Sequence, residues 1–216
     1  MVATTDWSTI ATLATALGTL VLAVATFAAV RSANRAARVA EAAYQANLRP
    51  VLVPSRIQDP VQKIRWMDDH WAHLEGGQAC VESVGGSLYL AISVRNVGAG
   101  IAVPFGWALR DGASTGEVPH ADAADFRLQM RDLWVAPSDV GFWQAAIREP
   151  SDPDYPWLSR AVAERTAFTV EVLYGDNDGG QRTISRFAMI PFVSGDTCRW
   201  YPTVSRHWNL DRPDPR

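Results

Sequence analysis

No residue between Trp7 and Val30 carries a charge, and this run of 24 positions limits what the start of the 216-residue chain can become. Wound as an α-helix it reaches about 36 Å, enough to cross a bilayer core of roughly 30 Å with some tilt. Helices buried in globular cores seldom run two dozen positions without a charge. A cleaved signal peptide needs a basic flank and a shorter apolar core, and residues 1–6 contain neither Lys nor Arg. Residues 1–30 are therefore expected to form a transmembrane helix. Its apolarity is moderate, because much of it is alanine: 15 of the chain's 32 alanines fall within the first 49 residues.

Arg31, Arg35 and Arg38 follow the span directly, whereas Asp6 precedes it. Basic flanks are retained on the cytoplasmic side, so the expected topology is N-terminus out and soluble domain in the cytoplasm. In that compartment Cys80 and Cys198 are expected as reduced thiols; on the other side of the membrane the same pair could form a disulfide. The helical pattern continues to about Leu48 and stops where Arg49 precedes Pro50, since a residue before proline is pushed out of the α region. Residues 31–49 thus read as a helical stalk. Ala33, Ala37, Ala40 and Tyr44 recur at spacings of four, three and four, an a/d seam. Within the span, Ala11, Thr15 and Thr19 form one small-xxx-small row, and Ala14 and Gly18 another. These residues are the candidates for self-association through the helix. The abundance of alanine explains the same spacings without a partner, and the three arginines can equally meet anionic lipid headgroups.

Beyond Pro50 the composition changes. Residues 50–216 hold 16 basic and 21 acidic side chains, a charge of −5 against +2 for residues 1–49. An acidic domain of this kind is not built to bind nucleic acid. Residues 87–94 give the clearest strand, Leu88, Leu90, Ile92 and Val94 alternating with Tyr89, Ala91 and Ser93, so that one face must be buried. Residues 51–57, 61–66, 101–103 and 105–109 are further extended candidates. Residues 125–134 and 140–147 read as either strand or helix, and 156–164 as a short helix opened by Asp154. A hairpin of residues 166–174 and 183–192 closes around the turn 175–180, and 199–208 reads as an edge strand. About seven short strands without long intervening helices predict a mainly β domain, an antiparallel β-sandwich over residues 50–216.

The anchor, the alanine- and arginine-rich stalk, Arg49-Pro50-Val51-Leu52-Val53-Pro54, the strand end Val94-Arg95-Asn96-Val97-Gly98-Ala99-Gly100 and a late hairpin at Tyr174 resemble uncharacterised single-pass membrane proteins of actinobacteria. The Asn-Val-Gly strand end also resembles that of immunoglobulin-like adhesion modules. The resemblance implies an Ig-like sandwich and no activity.

Candidate chemistry is sparse. Gly112-Ala113-Ser114-Thr115-Gly116 matches the nucleophile-elbow pattern, but Pro119 follows and no βαβ unit surrounds it, so a small-residue loop is expected. His70 and His73, with Asp68, Asp69, Glu75 or Cys80, could hold a divalent metal if the segment were helical; two surface histidines on a polar loop explain it more simply. Asp176-Asn177-Asp178-Gly179-Gly180 lacks the ligand spacing of a calcium loop and suits a hairpin turn. No catalytic, metal or cofactor constellation is therefore expected. Eight of nine tryptophans lie beyond Pro50, and Trp71, Trp200 and Trp208, flanked by polar or charged residues, are the candidate partner-binding ones. The leading expectation is a membrane-anchored interaction or scaffold module at the cytoplasmic face, with membrane lipid and a protein partner or second copy as its contacts. The alternative is an extracytoplasmic module binding envelope glycan through exposed tryptophans.

Overall fold

A computed structural model describes residues 6–114 and 117–214, and the chain divides into two compact units, one ending at Asn47 and one beginning at Leu48. The first is a single helix, α1 (Trp7–Asn47). Asp6 opens it, accepting bonds at Oδ1 from the backbone N–H and hydroxyl of Ser8 at 3.3 and 2.7 Å. One stretch of it, Trp7–Tyr44, is long and apolar enough to cross a membrane. The hydroxyls of Thr12, Thr15, Thr19 and Thr26 each donate to the carbonyl four residues earlier, at 2.8–2.9 Å. Their polarity is thereby satisfied inside the helix, which makes threonine tolerable in an apolar surrounding.

The second unit is mainly antiparallel β. Its strands are β1 (Leu52–Pro54), β2 (Gln62–Arg65), β3 (Trp71–Leu74), β4 (Ala79–Val84), β5 (Ser87–Asn96), β6 (Val103–Asp111), β7 (Arg127–Leu128), β8 (Val140–Ile147), β9 (Phe168–Gly175), β10 (Thr183–Ser194) and β11 (Thr197–Asn209), with helix α2 (Tyr155–Glu164) between β8 and β9. Nine of them form one open sheet in the order β1-β5-β4-β11-β10-β9-β6-β7, with β8 added on β5; β2 and β3 form a separate hairpin. The large sheet has a seam. Between β4 and β11 the only paired positions are Ala79 and Trp200. On either side of this seam the side chains converge on one core: Leu88, Leu90, Ile92, Val94, Trp143 and Ile147 from one half, Phe168, Val170, Val172, Tyr174, Phe187 and Met189 from the other.

The β5 alternation is borne out and extended. Leu88, Leu90, Ile92 and Val94 enter the main core, but Tyr89 and Ala91 are buried too, in a second cluster with Ile64, Trp66, Ala72, Leu74 and Cys80. The β2–β3 hairpin lies over that face. Residues 79–84 and 71–74, which no sequence signal marked as strands, supply β4 and β3, so the domain has eleven strands among the described residues rather than seven. The expected strand over residues 51–57 shrinks to β1, because the backbone turns where Asp59 N–H bonds Arg56 O. Residues 140–147 settle as β8, with Trp143 wholly buried. Residues 125–134 are mostly irregular, holding only β7 and the end of a 3-10 turn. The helix expected over 156–164 is α2, but the Asp154 carboxylate does not cap it. It binds Arg127 at 2.5 Å and the Trp157 indole N–H at 3.0 Å instead. The last strand, β11, is no edge: it lies between β10 and β4.

Phe168 is fully buried at the centre of the core and packs against Trp200 with ring centroids 5.4 Å apart. Phe168→Ala is expected to cost about 3–5 kcal/mol through lost burial and the cavity left behind, lowering the melting temperature by on the order of 10 °C in a thermal scan.

Candidate functional site

The two short motifs at Arg49-Pro50-Val51 and Asn96-Val97-Gly98-Ala99-Gly100 meet in space. Asn96, at the end of β5, is wholly buried, and its carboxamide is fully used. Oδ1 accepts from Val51 N–H at 3.1 Å and Gly98 N–H at 3.0 Å; Nδ2 donates to Gly100 O at 2.6 Å and Val135 O at 3.0 Å. The backbones join directly as well, Val97 N–H to Val51 O at 2.8 Å and Ala99 N–H to Arg49 O at 3.1 Å. Glycine is required by this closeness. A Cβ on Gly98 would lie 2.1 Å from Arg49 O, and one on Gly100 only 1.6 Å from Leu48 O. The segment 48–54, through which the chain enters the domain, is thus seated in a slot built from the β5 end.

A second set of bonds holds the same segment from the other side. Leu52 N–H donates to Tyr174 Oη at 3.0 Å, Tyr174 Oη and Ser185 Oγ are 2.8 Å apart, and Ser185 Oγ lies 2.7 Å from His207 Nδ1. Arg49 Nη2 donates to Thr183 Oγ1 at 3.0 Å. Burial raises the Tyr174 hydroxyl above its ordinary range. Burial, then the nearby Arg49 cation, lowers the His207 imidazole.

On the outer face of β9–β10 lies a buried ion pair. Glu171 and Arg186 are both fully buried, Glu171 Oε1 accepting from Arg186 Nε at 2.8 Å and Nη2 at 2.5 Å. The guanidinium also donates to Val118 O at 2.8 Å and Pro119 O at 2.9 Å, and stacks 4.5 Å from the Trp208 ring centroid. Ala121 N–H returns a bond to Glu171 Oε2 at 2.8 Å, and the His120 ring meets Trp208 edge-on. The pair therefore fastens residues 118–121 across the sheet. Arg110 stands 3.5 Å from Glu171 and faces a groove of about 610 Å³ that Asp122, Asp125, Arg127 and Asp154 also line.

The other candidates fall in different places. Of the three tryptophans expected on the surface, only Trp71 is exposed, at 56%; Trp200 and Trp208 are 5% and 6% exposed. The polar neighbours misled because strand alternation turns Arg199 and His207 to other directions, and because Arg186 and Arg206 stack on Trp208 rather than holding it in water. Trp134, at 66%, is an exposed tryptophan that no neighbour pattern marked. His70 and His73 are not on a helix. His70 bonds Glu82 Oε2 at 2.9 Å and stacks on Tyr89, while His73 points outward from β3. Asp68 is held down to about 2 by its bond to Arg148, helped by Tyr89. No group of three metal-ligating side chains occurs among the described residues. Gly112 and Ser114 lie in a loop after β6, where Ser114 N–H bonds Thr169 Oγ1 at 2.9 Å; Thr115 and Gly116 lie outside the described residues. Residues 176–180 form the hairpin turn, Gly180 N–H bonding Asp176 Oδ1 at 2.7 Å. Cys80 and Cys198 are both free, and they belong to opposite faces of the sheet, Cys80 in the cluster under the β2–β3 hairpin and Cys198 against the main core. The fold therefore does not present them to each other for a disulfide. The helix candidates Ala11, Ala14, Thr15, Gly18, Thr19, Ala33, Ala37, Ala40 and Tyr44 all stand exposed along α1.

Asn96→Ala leaves the Val51 and Gly98 amides and the Gly100 carbonyl without a partner, while Val135 O keeps Ala102 N–H, and is expected to cost about 2–4 kcal/mol, with hydrogen exchange at Val51 and Gly98 accelerating beyond the global effect. Arg186→Met leaves the buried Glu171 carboxylate only the Ala121 N–H and Arg110 at 3.5 Å, and is expected to cost about 3–5 kcal/mol in denaturant unfolding. The double variant Glu171→Leu/Arg186→Met should recover most of that loss.

No family model matches the chain, and no curated protein matches it. Among solved structures it is similar to a crystal structure of a protein from Archaeoglobus fulgidus, at 14% identity over 64% of this chain and 97% of that one, with a TM-score of 0.25, too low to carry an argument.

Proposed function

We propose that this protein is a membrane-tethered interaction module: an Ig-like sandwich domain held at the cytoplasmic face by α1, docking a protein partner and associating with a second copy through the helix. The observation that carries this reading is the bare surface of α1. The most apolar window of the helix is 0% buried, and Leu13, Leu17, Leu20, Val21, Leu22, Val24 and Phe27 are each more than half exposed. Covering each such side chain is worth about 1.5–3 kcal/mol, and a bilayer supplies that cover. Arg31, Arg35 and Arg38, directly after the span, support a cytoplasmic domain. The shared core on both sides of the β4–β11 seam supports a sandwich, and the motifs at Arg49 and Asn96 support kinship with actinobacterial single-pass proteins. The rows through Ala11 and Ala14 and the seam of Ala33, Ala37, Ala40 and Tyr44 offer close helix contact. For the glycan-binding alternative Trp200 and Trp208 are buried, and the exposed tryptophans it can draw on are Trp71 and Trp134.

The two thiols provide a test. Cys198 is partly exposed, whereas burial, then Glu82, pushes the Cys80 thiol far up and leaves it unreactive. In spheroplasts expressing the full chain, a membrane-impermeant maleimide is expected to label Cys198 only after permeabilisation; labelling of intact spheroplasts overturns the cytoplasmic assignment. Mass measurement in detergent is expected to give a dimer or larger species that Gly18→Leu weakens. A strictly monomeric, partner-free chain overturns the association.

A further inference from the structure

The outer face of β6 and β9 carries one cation more than the fold uses. Glu171 faces two guanidiniums, and Arg186 takes it: Oε1 accepts from Arg186 Nε at 2.8 Å and Nη2 at 2.5 Å, and Oε2 from Ala121 N–H at 2.8 Å. Arg110 is left with an ion contact, its Nε 3.5 Å from the same Oε1. That nitrogen is buried and donates no hydrogen bond, and Arg110 makes no other bond among the described residues. Arg127, across the same groove, spends its guanidinium on Asp152 and Asp154. A buried charged donor without an acceptor is costly, so Arg110 calls for an anion that the fold does not supply.

The groove of about 610 Å³ into which Arg110 faces limits what that anion can be. Asp122 and Asp125 also line it; both are exposed, and neither forms an ion pair among the described residues. Asp154 lines it too, but is already matched with Arg127. The groove thus holds one unspent cation and two unspent carboxylates. A simple anion is repelled by the two aspartates, and a simple cation leaves Arg110 unmatched, so a ligand that satisfies both carries both signs. The groove is open to solvent, whereas pockets for free small molecules enclose most of the ligand. It also follows a strand edge: β7 pairs with β6 only at Gly106 and Trp107, so Ala108 to Asp111 have no strand partner on that side. An extended polypeptide suits an open groove along such an edge.

We propose that this groove docks an extended segment of a partner protein that bears an acidic and a basic side chain on one face, Arg110 receiving the carboxylate and Asp122 and Asp125 the cation. Alternate residues of an extended chain share a face, so acid-x-base is the shortest pattern that presents both. The proposal rests on the docking half of the reading above and names the partner's chemistry. The groove lies wholly within the β domain and does not depend on α1 or on which side of the membrane the domain faces.

The test titrates the full chain, nitrogen-15 labelled in detergent micelles, with three peptides acetylated and amidated at their ends: Asp-Gly-Lys, Asn-Gly-Lys and Asp-Gly-Gln. The Arg110 Nε–H signal is the one that Arg110→Gln deletes. Asp-Gly-Lys is expected to shift it, whereas Asn-Gly-Lys should leave it in place and bind about tenfold more weakly. Asp-Gly-Gln should shift it too, with binding about threefold weaker than Asp-Gly-Lys, a difference that Asp122→Asn/Asp125→Asn should abolish. Arg110→Gln is expected to weaken Asp-Gly-Lys binding about tenfold while moving the melting temperature by no more than about 2 °C, because the fold does not use that guanidinium. An Arg110 signal unmoved by Asp-Gly-Lys, equal binding of the three peptides, or a loss of stability in Arg110→Gln as large as that in Arg186→Met overturns the docking groove. A chain that associates in detergent yet ignores the peptides loses the groove and keeps the tethered module. A chain that binds them but is labelled at Cys198 in intact spheroplasts keeps the groove and loses the cytoplasmic assignment.

Discussion

One buried carboxamide holds the domain's entry together. Asn96 bonds Val51, Gly98, Gly100 and Val135, which belong to the entry segment, the turn after β5 and the strap before β8. Only a side chain with two donors and two acceptors on one short stem satisfies all four at once. Leucine would leave the Val51 and Gly98 amides and the Gly100 carbonyl dry, with Val135 O keeping only Ala102 N–H, and aspartate would set a charge against two carbonyls. The glycines at 98 and 100 follow from the same constraint, since the entry backbone passes too close to admit a Cβ. Once the slot is formed, β1 is in register on β5, Leu52 reaches Tyr174, and the two halves of the core are tied at this end.

The rest of the domain is built around β5 for a related reason. It has a partner along each edge, β8 on one and β4 followed by β1 on the other, and apolar clusters on both faces. The β2–β3 hairpin covers one face, and the sheet turns past its seam at Ala79 and Trp200 to cover the other. The buried Glu171–Arg186 pair does a comparable job on the far face, fastening residues 118–121 by charge-assisted bonds beside the small cluster of Leu173, Ile184 and Trp208. Such a pair adds little net stability compared with apolar residues of the same volume, and what it contributes is a defined seat for the loop.

Part of the candidate site was legible from local pattern. Val51 beside Pro50, and Asn96 followed by Gly98 and Gly100, stood out as motifs, but only as punctuation at a strand end. The signal for the outer-face pair was present and passed over: Glu171 and Arg186 each interrupt an otherwise apolar strand, and a charge at such a position calls for a partner. His207 and Ser185 gave no such signal, being ordinary residues whose role comes from strands 22 positions apart. Trp200 and Trp208 show the opposite failure, where polar neighbours in sequence suggested water and the pleat delivered burial.

What the sequence determined by itself is what depends on neighbours along the chain. The uncharged run and its arginine border give a helix of spanning length, the period-two alternation gives β5, and Asp176-Asn177-Asp178-Gly179-Gly180 gives the β9–β10 turn. Tertiary structure decided everything that requires distant segments to meet. It buried both faces of β5, set Cys80 and Cys198 on opposite faces, joined Glu171 to Arg186, and closed the entry segment under Asn96. The physical reason is that periodicity records which way a side chain points, whereas burial and pairing depend on what arrives to cover it.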